Sequence, residues 1–323
     1  MAMYLVSGGA GFIGSHLVEA LLRRGDRVRV IDDLSTGRLE NLAGMEPGEP
    51  RSGRPLELLR GSITSASDCA LACEGVEAVL HEAACVSVPR SFEDPIGTYE
   101  VNVMGTLRLL EGARRAGVRT FLFASSSAAY GESPTLPKEE GMTPEPLSPY
   151  ATSKLAGEHL LRVWGRAHGM KTVSFRYFNI FGPRQRDDSA YTGVIALFAR
   201  GLLDGRRPTI HGDGEQTRDF TFVDNVVRAN LLALEKDVEP GSVINVGAGE
   251  RLSINALYRA MEEIAGAELP PIHGPARRGD VRDSLASLDR ARRLLGYEPS
   301  AAWKVGLART MTWYRERLGS SRG

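Results

Sequence analysis

The sequence predicts an α/β fold: a doubly wound parallel sheet with a smaller, interwoven α/β domain. Three observations carry that prediction. Short apolar runs alternate with helix-period stretches over the first 178 residues, a glycine-rich turn joins the first run to the first helix, and the alternation loosens beyond Asn179 before resuming. In order, "MYLVSG", "RVRVID", "EAVLHEAA", "TFLFASS" and "KTVSFRY" read as strands, with leucines and alanines at helical spacing between them. "GMEPGEPRSGRP" reads as a turn-rich surface loop, as do the polar "GPRQRDDS" and "HGDGEQTRD" further on. A helix is expected from 223 to about 234, and "SVINVG" reads as a strand free to return to the main sheet. The expected division is therefore 1–178 and 179–323, the second part woven into the first by segments near 220–247. No internal repeat is visible.

The chain has 323 residues, enough to bury a large core, and its 40 Lys plus Arg balance 40 Asp plus Glu. A neutral chain is not built as a whole for nucleic acid or an anionic membrane, so any anion must be held locally. Cys69, Cys73 and Cys85 form an odd set without metal-type spacing, which points to a reducing compartment, no disulfide framework and no metal. The start "MAMYLVSGGAGFIG" has neither a basic n-region nor a long apolar run, so the expectation is a cytoplasmic protein without signal peptide or membrane span.

"YLVSGGAGFIGSHLVEALLRRG" places Gly8, Gly11 and Gly14 between a strand and a helix. Glycines there allow a tight turn and close approach of a pyrophosphate, while the helix N-terminus supplies unpaired N–H donors and positive potential. A turn that binds nothing would show the same glycines. What adds weight is the second strand ending in Asp32, where a carboxylate meets adenosine ribose hydroxyls and repels a 2′-phosphate, favouring NAD over NADP, although Arg38 lies close by.

"SPYATSKLAGEH" sets Tyr150 and Lys154 four residues apart behind a capping Ser148 and a first-turn Pro149, so the two share a helix face. A tyrosine titrates near pH 10. Lowering it by about three units takes roughly 4 kcal/mol, whereas one ammonium at about 5 Å and an effective dielectric near 20 supplies about 3 kcal/mol before desolvation. A second positive charge is wanted, and an oxidised nicotinamide carries one. A packed tyrosine beside a solvated lysine is the plainer reading of such a pair in an arbitrary helix. Here "FLFASSSAAYGE" runs a strand into a serine cluster at the sheet's carboxyl edge, where open α/β folds bind ligands.

With these residues assembled, the chain resembles the extended short-chain dehydrogenase/reductases, within them the UDP-sugar 4-epimerase branch. The matching stretches are "GGAGFIGSHL", "VIDDLSTG", "HEAACVSVPRSFEDP", "NVMGT", "SSSAAYG", "YATSK", "RYFNIFGPRQ", "GDGEQTRDFTFVDNV" and "RRGDVRDSLA". The resemblance implies a Rossmann-type sheet, retained NAD and a nucleotide-sugar domain. It implies that Tyr150 takes the proton of the sugar 4-hydroxyl as hydride leaves C4, that Ser126 bonds the same oxygen, and that Lys154 also holds the nicotinamide ribose. The 4-keto sugar then turns over and takes hydride on its other face. Phe12, Ile13, Ser62, Ile63, Ala83, Ala84, Asn102, Ser125 and Tyr177 would line the cofactor, with Phe178 nearby. Ser87, Ser127, Asn179, Gly193, Val194, Ile210, Arg218, Arg277, Asp280 and Ser284 would line the UDP-sugar. Guanidinium forks suit phosphate oxygens, although surface ion pairing is the bland reading of either arginine.

Departures from the pattern also inform. Ser62 stands where the family often has an aspartate near the adenine. Ala128 stands where related dehydratases and decarboxylases carry an acidic residue, which disfavours elimination. Ser284, Gly193 and Ser87 are small, so UDP-GlcNAc/UDP-GalNAc is expected alongside UDP-Glc/UDP-Gal. Arg186 could face a uronate carboxylate, but Asn179 replaces the threonine that uronate epimerases tend to carry. A non-catalytic NAD-binding sensor or scaffold is the alternative outside enzymes, and intact Tyr150 and Lys154 argue against it. His81, ending a strand, reads as a hydrogen-bonded core residue. The helices holding Asn102 and Tyr150 would pair in a homodimer.

Overall fold

The computed structural model describes residues 2–187, 193–276 and 281–320. Strands β1 (Met3–Ser7), β2 (Arg27–Asp32), β3 (Leu56–Arg60), β4 (Ala78–His81), β5 (Thr120–Ser126) and β6 (Lys171–Tyr177) are followed by β7 (Ile180–Phe181), β8 (Thr209–His211), β9 (Thr217–Arg218), β10 (Thr221–Phe222), β11 (Ser242–Val246), β12 (Leu252–Ser253) and β13 (Ile272–Gly274). Seven of them form one sheet in the order β11-β6-β5-β4-β1-β2-β3, every pair parallel. The order reverses beside β1, which opens a crevice at the carboxyl ends of β1 and β4. "SVINVG" is β11, seated on β6.

The helices are α1 (Phe12–Arg23), α2 (Ala66–Cys73), α3 (Val88–Glu93), α4 (Pro95–Tyr99), α5 (Thr106–Arg115), α6 (Pro149–His168), α7 (Val194–Leu203), α8 (Val223–Glu235), α9 (Ile254–Ala265), α10 (Asp289–Leu295) and α11 (Trp303–Ser320), with a π-helical segment, Glu100–Gly105, between α4 and α5. Successive strand residues face opposite sides, and both sides are apolar. Leu17, Leu21 and Val226 pack on Val6, Val30 and Leu122, while Leu109, Leu110 and Leu161 pack on Leu5, Val79 and Phe121. A third core gathers Phe198, Phe222, Leu257 and Met311 from α7, α9 and α11 and from β10. No helix among the described residues is long and apolar enough to cross a membrane.

One strand of the sheet, β3, is absent from the sequence reading, which passes from "RVRVID" to "EAVLHEAA". Its "LELLR" looks unlike a buried strand because Glu57 stands second among its five residues. That side chain is 0 % exposed. It is met by Arg29 of β2, whose Nε and Nη2 donate to Oε2 at 2.9 and 2.8 Å. Arg29 Nη1 also donates to the carbonyls of Leu71, Ala72 and Glu74 at the end of α2, where a cation is favoured by the negative end of the helix dipole. An internal ion pair thus lets a charged residue occupy a buried strand. Removing one member leaves the other buried without a counter-charge, so Glu57→Ala should cost about 3–5 kcal/mol. Urea unfolding that moves by less than about 1 kcal/mol would show the pair to be unimportant.

Candidate active site

The turn after β1 is shaped for an anion. Gly8 has φ of +70°, and a β-carbon there would lie 2.8 Å from the Ala83 amide nitrogen; one on Gly14 would lie 2.2 Å from the Gly8 carbonyl oxygen. Gly11 caps α1 without a side-chain bond, and the helix has no acidic residue in its first turn. The leading amides at Phe12 and Ile13 therefore have no side-chain competitor for a phosphate. Phe12 packs edge-on against His16. Asp32, at the end of β2, accepts from the Ala10 and Leu34 amides, both at 2.9 Å. Burial pushes its carboxyl up and those two bonds oppose the shift. Each oxygen keeps a further lone pair, so the group that fastens the turn is also able to accept two ribose hydroxyls. A dinucleotide fits this cradle.

Next along the crevice, the Ser62 hydroxyl pairs with Thr64 Oγ1 at 2.9 Å, and its amide donates to Asp68 Oδ2 at 3.0 Å. An acidic group does reach this point, but from α2. The Ile63 side chain is in the core, under Gly105, so only its main chain remains for a ligand. Ala83 donates to Ser7 Oγ at 3.3 Å, and Ala84 is half-buried behind it. Asn102 lies in the π-helical segment. Its Oδ1 accepts from Cys85 N at 2.7 Å, and Nδ2 donates to Cys85 O and Ser153 Oγ at 3.0 and 2.9 Å. The carboxamide is spent on protein partners: Asn102 clamps the loop after β4 to α6, and π-helical segments often mark functional sites.

The α6 start follows its sequence. Ser148 Oγ accepts from Ala151 N at 3.1 Å and Pro149 occupies the first turn. Lys154 is 3 % exposed; its Nζ donates to Ala124 O at 2.7 Å and lies 5.0 Å from the Phe123 ring centroid. Ser126 ends β5, lies near enough to the Tyr150 phenol to oppose the rise of its pKa and accepts from Ala128 N at 3.1 Å, starting a 3-10 turn over Ser127–Tyr130. Ser125 turns the opposite way and donates to Glu158 at 2.5 Å. Tyr177 donates to Glu82 Oε1 at 3.0 Å and accepts from Asn230 Nδ2 at 2.9 Å, with Phe178 in the core behind it.

Charge at this point is closely balanced. Burial lowers Lys154 to about 8, against the opposing charge of Glu82. Burial raises Glu82 to about 7, against the Tyr177 bond and Lys154. The Tyr150 phenol is raised by burial; the Ser126 hydroxyl opposes the rise, and Cys85 and Glu82 add to it. The protein alone therefore does not make a basic phenolate, and a positive charge arriving beside it would favour one. His81 bonds Ser7 Oγ through Nδ1 at 2.6 Å and Thr106 Oγ1 through Nε2 at 2.9 Å; burial, then Lys154, push it to about 3, so it is a neutral core residue.

On the facing side, Asn179 has φ of +37° and donates to Asp219 O at 3.2 Å. Asp219 in turn accepts from the Ala248, Gly249 and Ala286 amides at 2.7, 3.0 and 3.1 Å. Arg218, on β9, donates to the carbonyls of Thr217 and Arg282 at 2.9 and 3.2 Å, and the Ser284 amide donates to Thr217 O at 3.1 Å. Gly193 and Val194 open α7. Ser87 Oγ is occupied as the cap of α3, accepting from Arg90 N at 3.2 Å. The Ile210 side chain lies in the third core and does not line an open site. Arg277 and Asp280 lie outside the described residues. Sequence reasoning missed Glu82, Asp68 and Glu158. Glu82 is visible in "HEAA", but its partner Tyr177 is 95 residues away.

A carboxyl raised from an ordinary 4.5 to about 7 contributes stability below the lower value that is lost as pH rises through the upper one. The melting-temperature advantage of the native protein over Glu82→Gln should therefore shrink between pH 4.5 and 7. A difference that stays flat across that window would show that Glu82 is not the titrating group.

The family model "NAD dependent epimerase/dehydratase family" matches residues 4–247. A UDP-glucose 4-epimerase of Mycolicibacterium smegmatis is 41% identical over 315 residues, covering 97% of this chain and 98% of that protein. The structure of a Thermotoga maritima UDP-glucose 4-epimerase with UDP-glucose superposes with a TM-score of 0.91 at 38% identity, covering 98% of this chain and 99% of that one. A Methanobrevibacter ruminantium UDP-N-acetylglucosamine 4-epimerase, in complex with UDP-N-acetylmuramic acid, gives 0.91 at 34% identity, with the same coverage. The likeness runs over nearly the whole length of these proteins, and the chain belongs to the NAD dependent epimerase/dehydratase family.

Proposed function

We propose that the protein is an isomerase that inverts C4 of a UDP-hexose with tightly bound NAD, through a 4-keto sugar. The observation that carries this reading is the Ser126–Tyr150 contact above a buried Lys154, beside the glycine turn. Residues 1–178 would hold the dinucleotide, its pyrophosphate on the turn at Gly8, Gly11 and Gly14, its adenosine ribose on Asp32 and its nicotinamide ribose on Lys154. Residues 179–323 would hold the nucleotide sugar, with Asn179 and Arg218 at its diphosphate. Bound NAD supplies a reversible hydride acceptor. The protein's part is to fix the sugar 4-oxygen between Ser126 Oγ and Tyr150 Oη and to take its proton onto Tyr150 Oη. Lys154, with its proton retained beside Glu82, favours the phenolate. The same phenol returns the proton to the other epimer. Ala128 offers no acid for elimination.

The finer substrate reading rests on side-chain size. Ser87, Gly193 and Ser284 are small, which supports room for an N-acetyl group, so UDP-GlcNAc/UDP-GalNAc joins UDP-Glc/UDP-Gal. The unpaired cysteines suit a reducing, cytoplasmic setting. A homodimer is supported by Phe92, Ile96, Tyr99, Met104 and Val163 on α3, α4, the π-helical segment and α6, all exposed, Ile96 at 83 %.

Incubation with UDP-Glc, UDP-GlcNAc and UDP-GlcA, followed by proton NMR, is expected to show interconversion of the first two. Turnover of the non-acetylated sugar alone would refute the pocket argument, and NAD binding without any turnover would favour a sensor. Tyr150→Phe should lower turnover by about 10²–10⁴-fold with an unchanged melting temperature. Ile96→Glu should convert a dimer to a monomer by light scattering; a native protein already monomeric would rule out the proposed interface.

A further inference from the structure

Beneath the Tyr150–Lys154 face lies a buried polar cluster that the proposed chemistry does not use. Tyr150, Lys154 and Glu158 follow one another at four-residue spacing on α6, hence along one stripe of the helix. Glu158 is 2 % exposed. Its Oε1 accepts from Ser125 Oγ at 2.5 Å and from Arg176 Nε at 2.9 Å, and its Oε2 accepts from Arg176 Nη2 at 2.8 Å. Ser125 and Arg176 are directly paired between β5 and β6, and the next pair in the same register is Ser126 with Tyr177. The carboxylate therefore joins the helix to both strands one residue before the strands deliver their site side chains. Arg176 also lies 4.6 Å from the Tyr130 ring centroid, at the end of the turn that Ser126 caps. The Tyr130 hydroxyl donates to Asn245 Oδ1 on β11 at 2.7 Å. One fixed charge pair thus ties α6, β5, β6 and the serine turn together.

We infer that Glu158 is a positioning residue, clamping α6 across the Ser125–Arg176 pair so that Tyr150 stays aligned with Ser126. The alternative is a fold-stabilising ion pair with no bearing on the site. Chemistry distinguishes the two. A charge pair needed only for the fold is replaceable by apolar side chains of similar size, whereas a clamp that aligns a proton acceptor is not, because a misplacement of about 1 Å costs on the order of 10²-fold.

The inference rests on the epimerase reading, and the test separates them. Native protein that turns over no UDP-sugar sinks that reading and leaves the clamp to hydrogen exchange. Glu158→Gln should lower kcat about 10–100-fold with KM for the UDP-sugar within about twofold, and should have no further effect in a Tyr150→Phe background, since it acts through that phenol. Should Glu158→Gln fold poorly, the double replacement Glu158→Met with Arg176→Met is expected to recover the melting temperature while kcat stays low. Amide exchange over residues 149–160 should be faster in that double variant than in the native protein. Native kcat in either variant, an additive loss in the Tyr150→Phe background, or unchanged exchange over 149–160 would overturn the inference.

Discussion

The hydrogen bond from Lys154 Nζ to the carbonyl of Ala124, 2.7 Å long, is the constraint on which the site's geometry depends. An ammonium so far from water costs several kcal/mol unless it is bonded and faces an opposite charge. Here a carbonyl near the end of β5 supplies the bond and Glu82 the charge. The consequence is mechanical as well as electrostatic. With Lys154 fixed on β5 and Ser148 closing the first turn of α6, Tyr150 lies between two anchors on one helix. Its phenol reaches Ser126, two residues beyond the carbonyl that holds Lys154.

That arrangement carries an electrostatic cost which the protein uses. Burial works against the phenolate of Tyr150 and the ammonium of Lys154 alike. A cation arriving beside them would favour the first and disfavour the second, so a lysine near 8 without a counter-charge would tend to lose its proton just as the phenol loses its own. Glu82 opposes this. It is held as an acceptor by Tyr177, itself oriented by Asn230, so the negative charge stays close to the lysine. The three groups form a balance, in which Glu82 keeps the lysine charged while its own charge works against the phenolate; the second positive charge that the sequence calls for is therefore still wanted.

Much of this is legible in the chain because it is local. The glycine turn, Asp32 at a strand end, the Ser148 cap and the Tyr150–Lys154 spacing each follow from residues within one turn of each other, and the structure brings them to one sheet edge. What the sequence conceals is set by distant partners. Glu57 looks wrong for a strand until Arg29, 28 residues earlier, is seen beside it. Asp68 supplies the carboxylate missing at Ser62 by folding α2 back onto it. Glu158 reads as an ordinary helix glutamate until Arg176 is placed against it. Ile63 and Ile210 stand near matching motifs, yet their side chains complete cores, since position along a motif does not fix which way a side chain faces.

The π-helical segment links two of the proposed properties. On its inner side, Asn102 joins the loop at Cys85 to Ser153 of α6. On its outer side, Met104, with Tyr99 just before the segment, adds to the exposed apolar surface proposed for a second copy. A helix widened by one residue per turn strains its own ladder and persists where the surroundings hold it. The inner bonds do so from the site, and a partner packed on the outer face would do so from the other side. Dimer formation on this face would therefore stiffen the Asn102 clamp, and through Ser153 the very turn of α6 that carries Tyr150 and Lys154.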